Sequence, residues 1–310
     1  MSVKRYPIIA GPTASGKTAL AIALAKAIDG EVVSADSMQV YDEVAIGTAR
    51  PLADEMGGVP HHLMGFLPLD DVYSVARYQE DAATVFEDVF SRGKTPVMCG
   101  GTGLYIQSFM ENRQLFEEQP DPVLRSRYME IAQNSGNEVL MDRLKLVDPA
   151  SAARIHVNDL HRIIRALEVY DTTGMTITQQ EELSHTVPSP YSPFLIVLDF
   201  KDREKLYERI NYRVTLMLQN GLIEEARRVL DTNPQATVTQ AIGYKEFQPY
   251  FDGECSLDEA ADRLRQQTRR YAKRQLSWFR RMEYARRVYV DDYENASDLA
   301  KAVIDMYSEI

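Results

Sequence analysis

The chain has 310 residues, 45% of them hydrophobic and 26% charged, with a formal net charge of −11. This balance excludes disorder as the main state and allows a sizeable core, in one large domain or two smaller ones. A net negative charge ordinarily disfavours a polyanionic partner, but residues 263–287 hold ten arginines and lysines against one acid, Glu283, so the remainder carries about −20.

The apolar run at residues 19–25 stops at Lys26, far short of the roughly 20 residues that span a membrane. Glycine, proline and lysine cut the N-terminal apolar stretch off too early for a signal peptide. No membrane partner and a cytoplasmic address are expected. Cys99 and Cys255 are too few and too far apart for a zinc knuckle or a disulfide framework, and both read as ordinary buried thiols.

In chain order, YPIIA (residues 6–10) reads as a short buried strand, followed by a glycine-rich turn and an alanine-rich helix over residues 19–28. EVVSA (31–35) reads as a second strand, TPVMC (95–99) as a third and FLIVLDF (194–200) as a fourth. Strands separated by helical sequence imply parallel crossovers and an α/β fold. Residues 115–194 break that rhythm. They are helix-rich, lack a strong strand and are bracketed by EEQPDP and VPSPYSP, so they read as an inserted all-helical domain that leaves 1–114 and 195–310 as the core.

Residues 11–18, GPTASGKT, fit G-x-x-x-x-G-K-[ST] after a strand and at the opening of a helix. The backbone of Gly11, Pro12, Thr13, Ala14, Ser15 and Gly16 can cradle phosphate oxygens at a helix N-terminus. Lys17 would neutralise their charge, and the Thr18 hydroxyl suits magnesium, which prefers oxygen ligands. The cradle does not name its substrate, because ATPases, small-molecule kinases and diphosphate-using transferases all employ it. Asp36 follows the second strand, where open parallel sheets bind ligands; a catalytic role and a turn-capping role are both open to it. Residues 100–103, GGTG, close the third strand with glycines that permit close backbone approach and one hydroxyl, Thr102.

On a helix, Arg263, Arg270, Arg274 and Arg281 fall on one stripe, with Arg269, Lys273, Arg280 and Arg287 about 100° away. Leu264, Tyr271, Trp278 and Met282 fall opposite. One face then packs on the protein while the other presents cations suited to a phosphate backbone. His161, Arg162 and Arg165 in the insertion are further candidates for nucleic acid, or for pairing with a carboxylate such as Glu168. The adjacent His61 and His62 point apart on regular backbone and read as structural.

Several segments match a known family in its order: ADSMQVYDEVAIGTARP (35–51), VPHHLMG (59–65), CGGTGLYIQSF (99–109), DPVLR (121–125), NDLHRIIRALEVY (158–170), QAIGYKEF (240–247) and RRYAKRQLSWFRR (269–281). Together with the phosphate loop they resemble the tRNA dimethylallyltransferases over about nine-tenths of the chain. The resemblance implies a P-loop NTPase-like parallel sheet flanked by helices, with an inserted helical domain that clamps tRNA. It implies that the loop holds the diphosphate of dimethylallyl diphosphate and not ATP, with Mg2+ at Thr18 and Lys245 as a second phosphate contact. Asp36 becomes the base for the exocyclic amine of adenine at tRNA position 37, while Lys17 and Thr18 meet the leaving diphosphate. Contacts to the anticodon stem-loop are implied for Asp36, Ser37, Met38, Gln39, Thr102, Arg125, Leu160, His161, Arg162, Ile163 and Ile164, alongside Arg270, Arg274 and Arg281 of the basic face. A bacterial-type monomer without zinc is expected. Among the alternatives, a P-loop kinase would transfer phosphate from ATP, and a transferase acting on free adenine nucleotides would not need the insertion. A non-enzymatic RNA-binding protein would have no use for Lys17, Thr18 and Asp36 together.

Overall fold

Six strands form one parallel sheet in the order β3-β2-β4-β1-β5-β6. They are β1 (Lys4–Ala10), β2 (Gly30–Ala35), β3 (His61–His62), β4 (Thr95–Gly100), β5 (Tyr191–Asp199) and β6 (Arg286–Tyr289). The computed structural model describes residues 4–115, 121–232 and 237–309. The chain divides into two compact units, Met1–Met110 with Pro190–Ile310, and Glu111–Ser189.

In the first unit, period-two alternation sends neighbouring side chains to opposite faces of the sheet. Ile8, Val33, Met98 and Val197 face one core, closed by α2 (Val75–Ser91), α3 (Gly103–Met110) and α12 (Leu257–Phe279) through Phe86, Phe109, Leu264 and Phe279. Ile9, Val32, Val97 and Ile196 face a second core, closed by α1 (Lys17–Ala27) and α13 (Ala296–Ser308) through Leu20, Leu24, Leu299 and Val303. Strands buried on both faces must be apolar throughout, which is why the four central strands stand out in the sequence. The edges do not: β3 is two histidines and β6 is RRVY, with Arg286 and Arg287 exposed. The fourth strand also begins earlier than its apolar stretch, because Tyr191 pairs with Lys4, and it ends at Asp199, short of Phe200. The first unit is completed by α9 (Arg203–Gln219), α10 (Leu222–Asp231), α11 (Gln248–Phe251) and short 3-10 turns.

The second unit contains α4 (Pro122–Ser135), α5 (Asn137–Val147), α6 (Pro149–Arg154), α7 (Leu160–Thr173) and α8 (Ile177–Ser184). Its limits differ from 115–194 because the strand pairing of β5 reclaims the last residues and α3 ends at Met110; Glu117–Pro120 of the bracketing EEQPDP lie outside the described residues. Side chains of Asp121, Asp159 and Thr176 cap α4, α7 and α8. Ile163 and Ile164 are buried in this unit's core beside Tyr128, Leu140 and Leu167. Their side chains build the helical core, while His161 and Arg162 of the same stretch are at the surface. Arg125 pairs with buried Glu168 at 2.8 Å, and Arg165 lies 3.6 Å from the same carboxylate, so the carboxylate reading holds for Arg165 and extends to Arg125. Arg162 reaches its neighbour Asp159 at 3.2 Å while remaining exposed, as is His161; Leu160 is half-buried.

Buried Glu31 opens β2 between Arg92, which makes two hydrogen bonds to it, and His62, whose Nε2 lies 2.8 Å away. The arginine, acting against the cost of burial, holds the Glu31 carboxyl down to about 2. Because that value is depressed, the stabilisation is present above the ordinary carboxyl range and is lost as pH falls toward 2. Glu31→Gln is expected to lower unfolding stability by about 3 kcal/mol at neutral pH, read as an earlier urea midpoint. An unchanged midpoint would show the cluster to be energetically idle.

Candidate active site

β1 ends at Ala10 and the chain turns through the phosphate loop into α1, where Gly16 at φ 92° forms the N-cap. A side chain there would be strained in this left-handed region. Ala14 also has positive φ, 61°. Lys17 Nζ donates to the Pro12 carbonyl at 2.7 Å, folding over the loop it belongs to. Burial pushes its ammonium down to about 8; nearby Arg213 adds to the effect, while Cys99 and Asp36 oppose it. The buried Ser15 hydroxyl has no hydrogen-bond partner among the described residues. That orphaned polar group fits a loop shaped for an anion.

Asp36 stands just beyond β2. Its Oδ1 accepts from the backbone N–H of Met38 at 2.9 Å and of Gln39 at 3.3 Å. Both readings open in the sequence are compatible with this arrangement: one carboxylate oxygen caps the turn, and Oδ2 makes no hydrogen bond among the described residues. The Ser37 N–H donates to Thr102 Oγ1 at 3.0 Å, and the Thr102 N–H donates to the Ala35 carbonyl at 3.1 Å. The GGTG turn thereby braces the segment that carries Asp36. Gln39 spends its amide on the carbonyls of Thr48 and Ala49, so its side chain positions a loop.

Lys17, Asp36, Ser37 and Gln39 line one cavity of about 350 Å³, which Thr102 supports from outside its wall; the size suits a small-molecule ligand. Lys17, Thr18, Asp36, Arg213, Lys245 and Arg274 supply much of its polar wall, and Met38, Met64, Val214, Met217, Ile242 and Leu264 its apolar wall. Thr13, Ser37, Gln39 and Cys99 complete parts of it. Burial raises the Cys99 thiol to about 12, which keeps it protonated and inert. Cys255, in contrast, is half-buried and not a fully buried thiol.

Sequence reasoning missed Arg213. It lies on α9 with no motif around it, and burial lowers its pKa below the ordinary arginine value. Its Nη2 donates to the Thr48 carbonyl at 3.3 Å. One turn earlier, Arg209 Nε donates to the Ala14 carbonyl at 2.8 Å. The only available signal was this four-residue spacing of arginines. Glu225 was missed too: buried on α10, it accepts from Ile46 N–H, Gly47 N–H and Tyr244 Oη at 2.9, 2.7 and 3.0 Å, tying the cavity's Gly47–Ala49 rim to the GYKE segment.

The basic face on α12 is smaller than its sequence suggests. Arg265 is bonded to Asp262 and Thr215, and Arg269 donates to Asn211 at 2.7 Å, so these two hold α12 to itself and to α9. Arg263, Arg270, Lys273 and Arg274 remain exposed, with Arg274 on the cavity wall. The helix ends at Phe279, so Arg281 is exposed in the following turn and not on the helical stripe. On the opposite face Leu264 is buried and Tyr271 and Trp278 are half-buried, as the periodicity requires.

A parallel sheet with a glycine-rich loop at its carboxyl edge, opening on a chamber with one carboxylate and several cations, defines a site of the class that handles phosphate or diphosphate groups. The sequence matches the family model described as IPP transferase over residues 39–282 and that described as isopentenyl transferase over residues 4–70. It is 44% identical to the tRNA dimethylallyltransferase of Thermoanaerobacter sp. (strain X514), covering 96% of this chain and 95% of that protein. It is 46% identical to the tRNA dimethylallyltransferase of Bacillus subtilis (strain 168), covering 88% and 87%. The fold resembles the crystal structure of tRNA isopentenylpyrophosphate transferase from Bacillus halodurans with a TM-score of 0.74 and 38% identity, covering 99% of this chain and 96% of that one. It also resembles a eukaryotic dimethylallyltransferase captured acting on tRNA, with a TM-score of 0.79 and 28% identity, covering 99% and 80%. The chain belongs to the IPP transferase family, the tRNA dimethylallyltransferases.

Proposed function

We propose that this protein transfers the dimethylallyl group of dimethylallyl diphosphate to the exocyclic amine of the adenine at tRNA position 37, releasing diphosphate. The observation that carries the reading is the single chamber that sets Asp36 opposite a phosphate loop, with an apolar wall of methionine, valine, isoleucine and leucine. The apolar wall suits a five-carbon isoprenoid, the loop with Lys17 and Arg213 suits its diphosphate, and Asp36 suits a proton acceptor.

In the transfer, the amine nitrogen forms a bond to the allylic carbon as the bond from that carbon to the diphosphate oxygen breaks. The nitrogen lone pair is delocalised into the adenine ring, so loss of its proton to Asp36 Oδ2 assists bond formation. The electron pair of the broken bond leaves on diphosphate, whose growing charge is met by Lys17, Arg213 and loop amides, with Lys245 as a further contact. Thr18 would hold Mg2+ through its hydroxyl, an oxygen ligand suited to a hard ion. When bound, Mg2+ neutralises charge on the departing diphosphate.

The adenine must leave its stack to enter the chamber, at a cost of only a few kcal/mol for a base in a single-stranded loop. Arg270 and Arg274 of α12 and the exposed His161 and Arg162 of α7 are proposed contacts to the tRNA backbone. The protein acts as a monomer in the cytoplasm; no helix among the described residues is long and apolar enough to cross a membrane. Arg270→Ala with Arg274→Ala is expected to weaken anticodon stem-loop binding and to lower the slope of log affinity against log salt by roughly one to two. An unaltered slope would remove these arginines from the RNA interface. The function itself is tested by following diphosphate release: it is expected only when magnesium, dimethylallyl diphosphate and the stem-loop are all present. Phosphate transfer from ATP in their place would return the chain to the kinases.

A further inference from the structure

Gln275 lies on α12 and is 5% exposed. Its Oε1 accepts from the Thr13 N–H of the phosphate loop at 2.8 Å, and its Nε2 donates to the Gly101 carbonyl at 3.0 Å. These partners fix the amide's orientation, because a backbone N–H only donates and a carbonyl only accepts. A flipped side chain would oppose donor to donor and acceptor to acceptor. Gly101 permits the approach: a Cβ there would stand 2.1 Å from Gln275 Nε2. From Gly101 the chain runs directly into Thr102, which accepts from Ser37 N–H beside Asp36. One side chain therefore bridges the loop that receives the leaving group and the turn that braces the base.

We propose that Gln275 is a positioning residue for transfer, holding the phosphate loop and the Asp36 turn at a fixed separation. This rests on the transferase reading of the site. Displacement requires the attacking nitrogen, the allylic carbon and the departing oxygen to lie in line, and a misplacement of about 1 Å costs on the order of 100-fold in rate. Gln275 need not touch either substrate to exert that control. Its loss lets the two supports relax independently while leaving each able to bind its own ligand.

The test is steady-state kinetics of Gln275→Ala and Gln275→Glu beside the wild type, with calorimetry of magnesium diphosphate binding. In the alanine variant kcat is expected to fall by about 50- to 100-fold, with both KM values and the diphosphate Kd within about threefold of wild type. The glutamate keeps an acceptor for Thr13 but sets a carboxylate oxygen against the Gly101 carbonyl, so its kcat falls as well. Unchanged kcat in the alanine variant, or wild-type turnover in the glutamate variant, overturns the proposal. So does a loss of diphosphate affinity beyond about tenfold in the alanine variant, which would make Gln275 a support of the phosphate loop alone. Gln275→Met, similar in length, carries the same expectations if the alanine variant does not fold. A wild-type protein that makes no prenylated RNA defeats the transferase reading and this one with it, whereas an active wild type beside an unimpaired alanine variant removes Gln275 only.

Discussion

Asp36→Asn is expected to lower turnover by about 1000-fold while leaving stem-loop affinity within a few-fold of wild type. Asparagine is the informative replacement because it retains the oxygen that accepts from Met38 and Gln39 N–H, so the turn stays capped. What it removes is the basic oxygen that makes no hydrogen bond among the described residues. General-base assistance contributes typically 10² to 10⁴, and adenine's delocalised amine places this reaction toward the demanding end. Asp36→Ala removes cap and base together, so it is expected to lose more stability without losing much more activity. Turnover of Asp36→Asn within threefold of wild type would take Asp36 out of the chemistry and leave it a turn residue.

Lys17→Met is expected to act in opposite directions on activity and stability. Removing the cation nearest the loop should lower kcat/KM for dimethylallyl diphosphate by about 1000-fold, the upper part of the range for losing one preorganised charge-stabilising group. The free protein should become more stable near neutral pH by about 1–3 kcal/mol, because the native state holds a desolvated ammonium whose pKa is down to about 8. The sign follows from proton counting. A folded pKa below the unfolded value means that the unfolded chain binds more protons between the two, so wild-type stability rises with pH from about 8 to above 10. Below about 8 the penalty is fully present, and methionine abolishes it. A bound diphosphate restores the charged form, so binding takes up a proton and wild-type affinity for diphosphate should fall by up to tenfold per pH unit above about 8. A calorimetric affinity flat from pH 7 to 9.5, or a lower thermal midpoint for Lys17→Met, would contradict this picture of the lysine.

The sequence made the central sheet legible because strands buried on both faces have to be apolar, as in YPIIA and FLIVLDF. β3 and β6 escaped because edge strands need bury only one face, and His61–His62 and RRVY carry no such pattern. The phosphate loop and Asp36 were readable from spacing and strand ends. Arg213, Glu225 and Gln275 were not, since each gains its role from contacts with residues more than 150 positions away in the chain. Periodicity located the buried and exposed faces of α12 but could not reveal that Arg265 and Arg269 are taken up by α9. Nor could the family-like stretch at residues 158–170 separate its surface residues His161 and Arg162 from Ile163 and Ile164, which the helical core requires. Motif spacing reports local geometry; the cost of burying charge and the need to satisfy buried polar groups decide the remainder.

The reaction is tested most directly by incubating the protein with magnesium, dimethylallyl diphosphate and an unmodified anticodon stem-loop, then analysing the digested nucleosides by mass spectrometry. Dimethylallyl-adenosine from the adenine at position 37, with none formed from free AMP, is the expected result. Prenylation of AMP but not of the RNA, or no prenylated nucleoside from either, would contradict it.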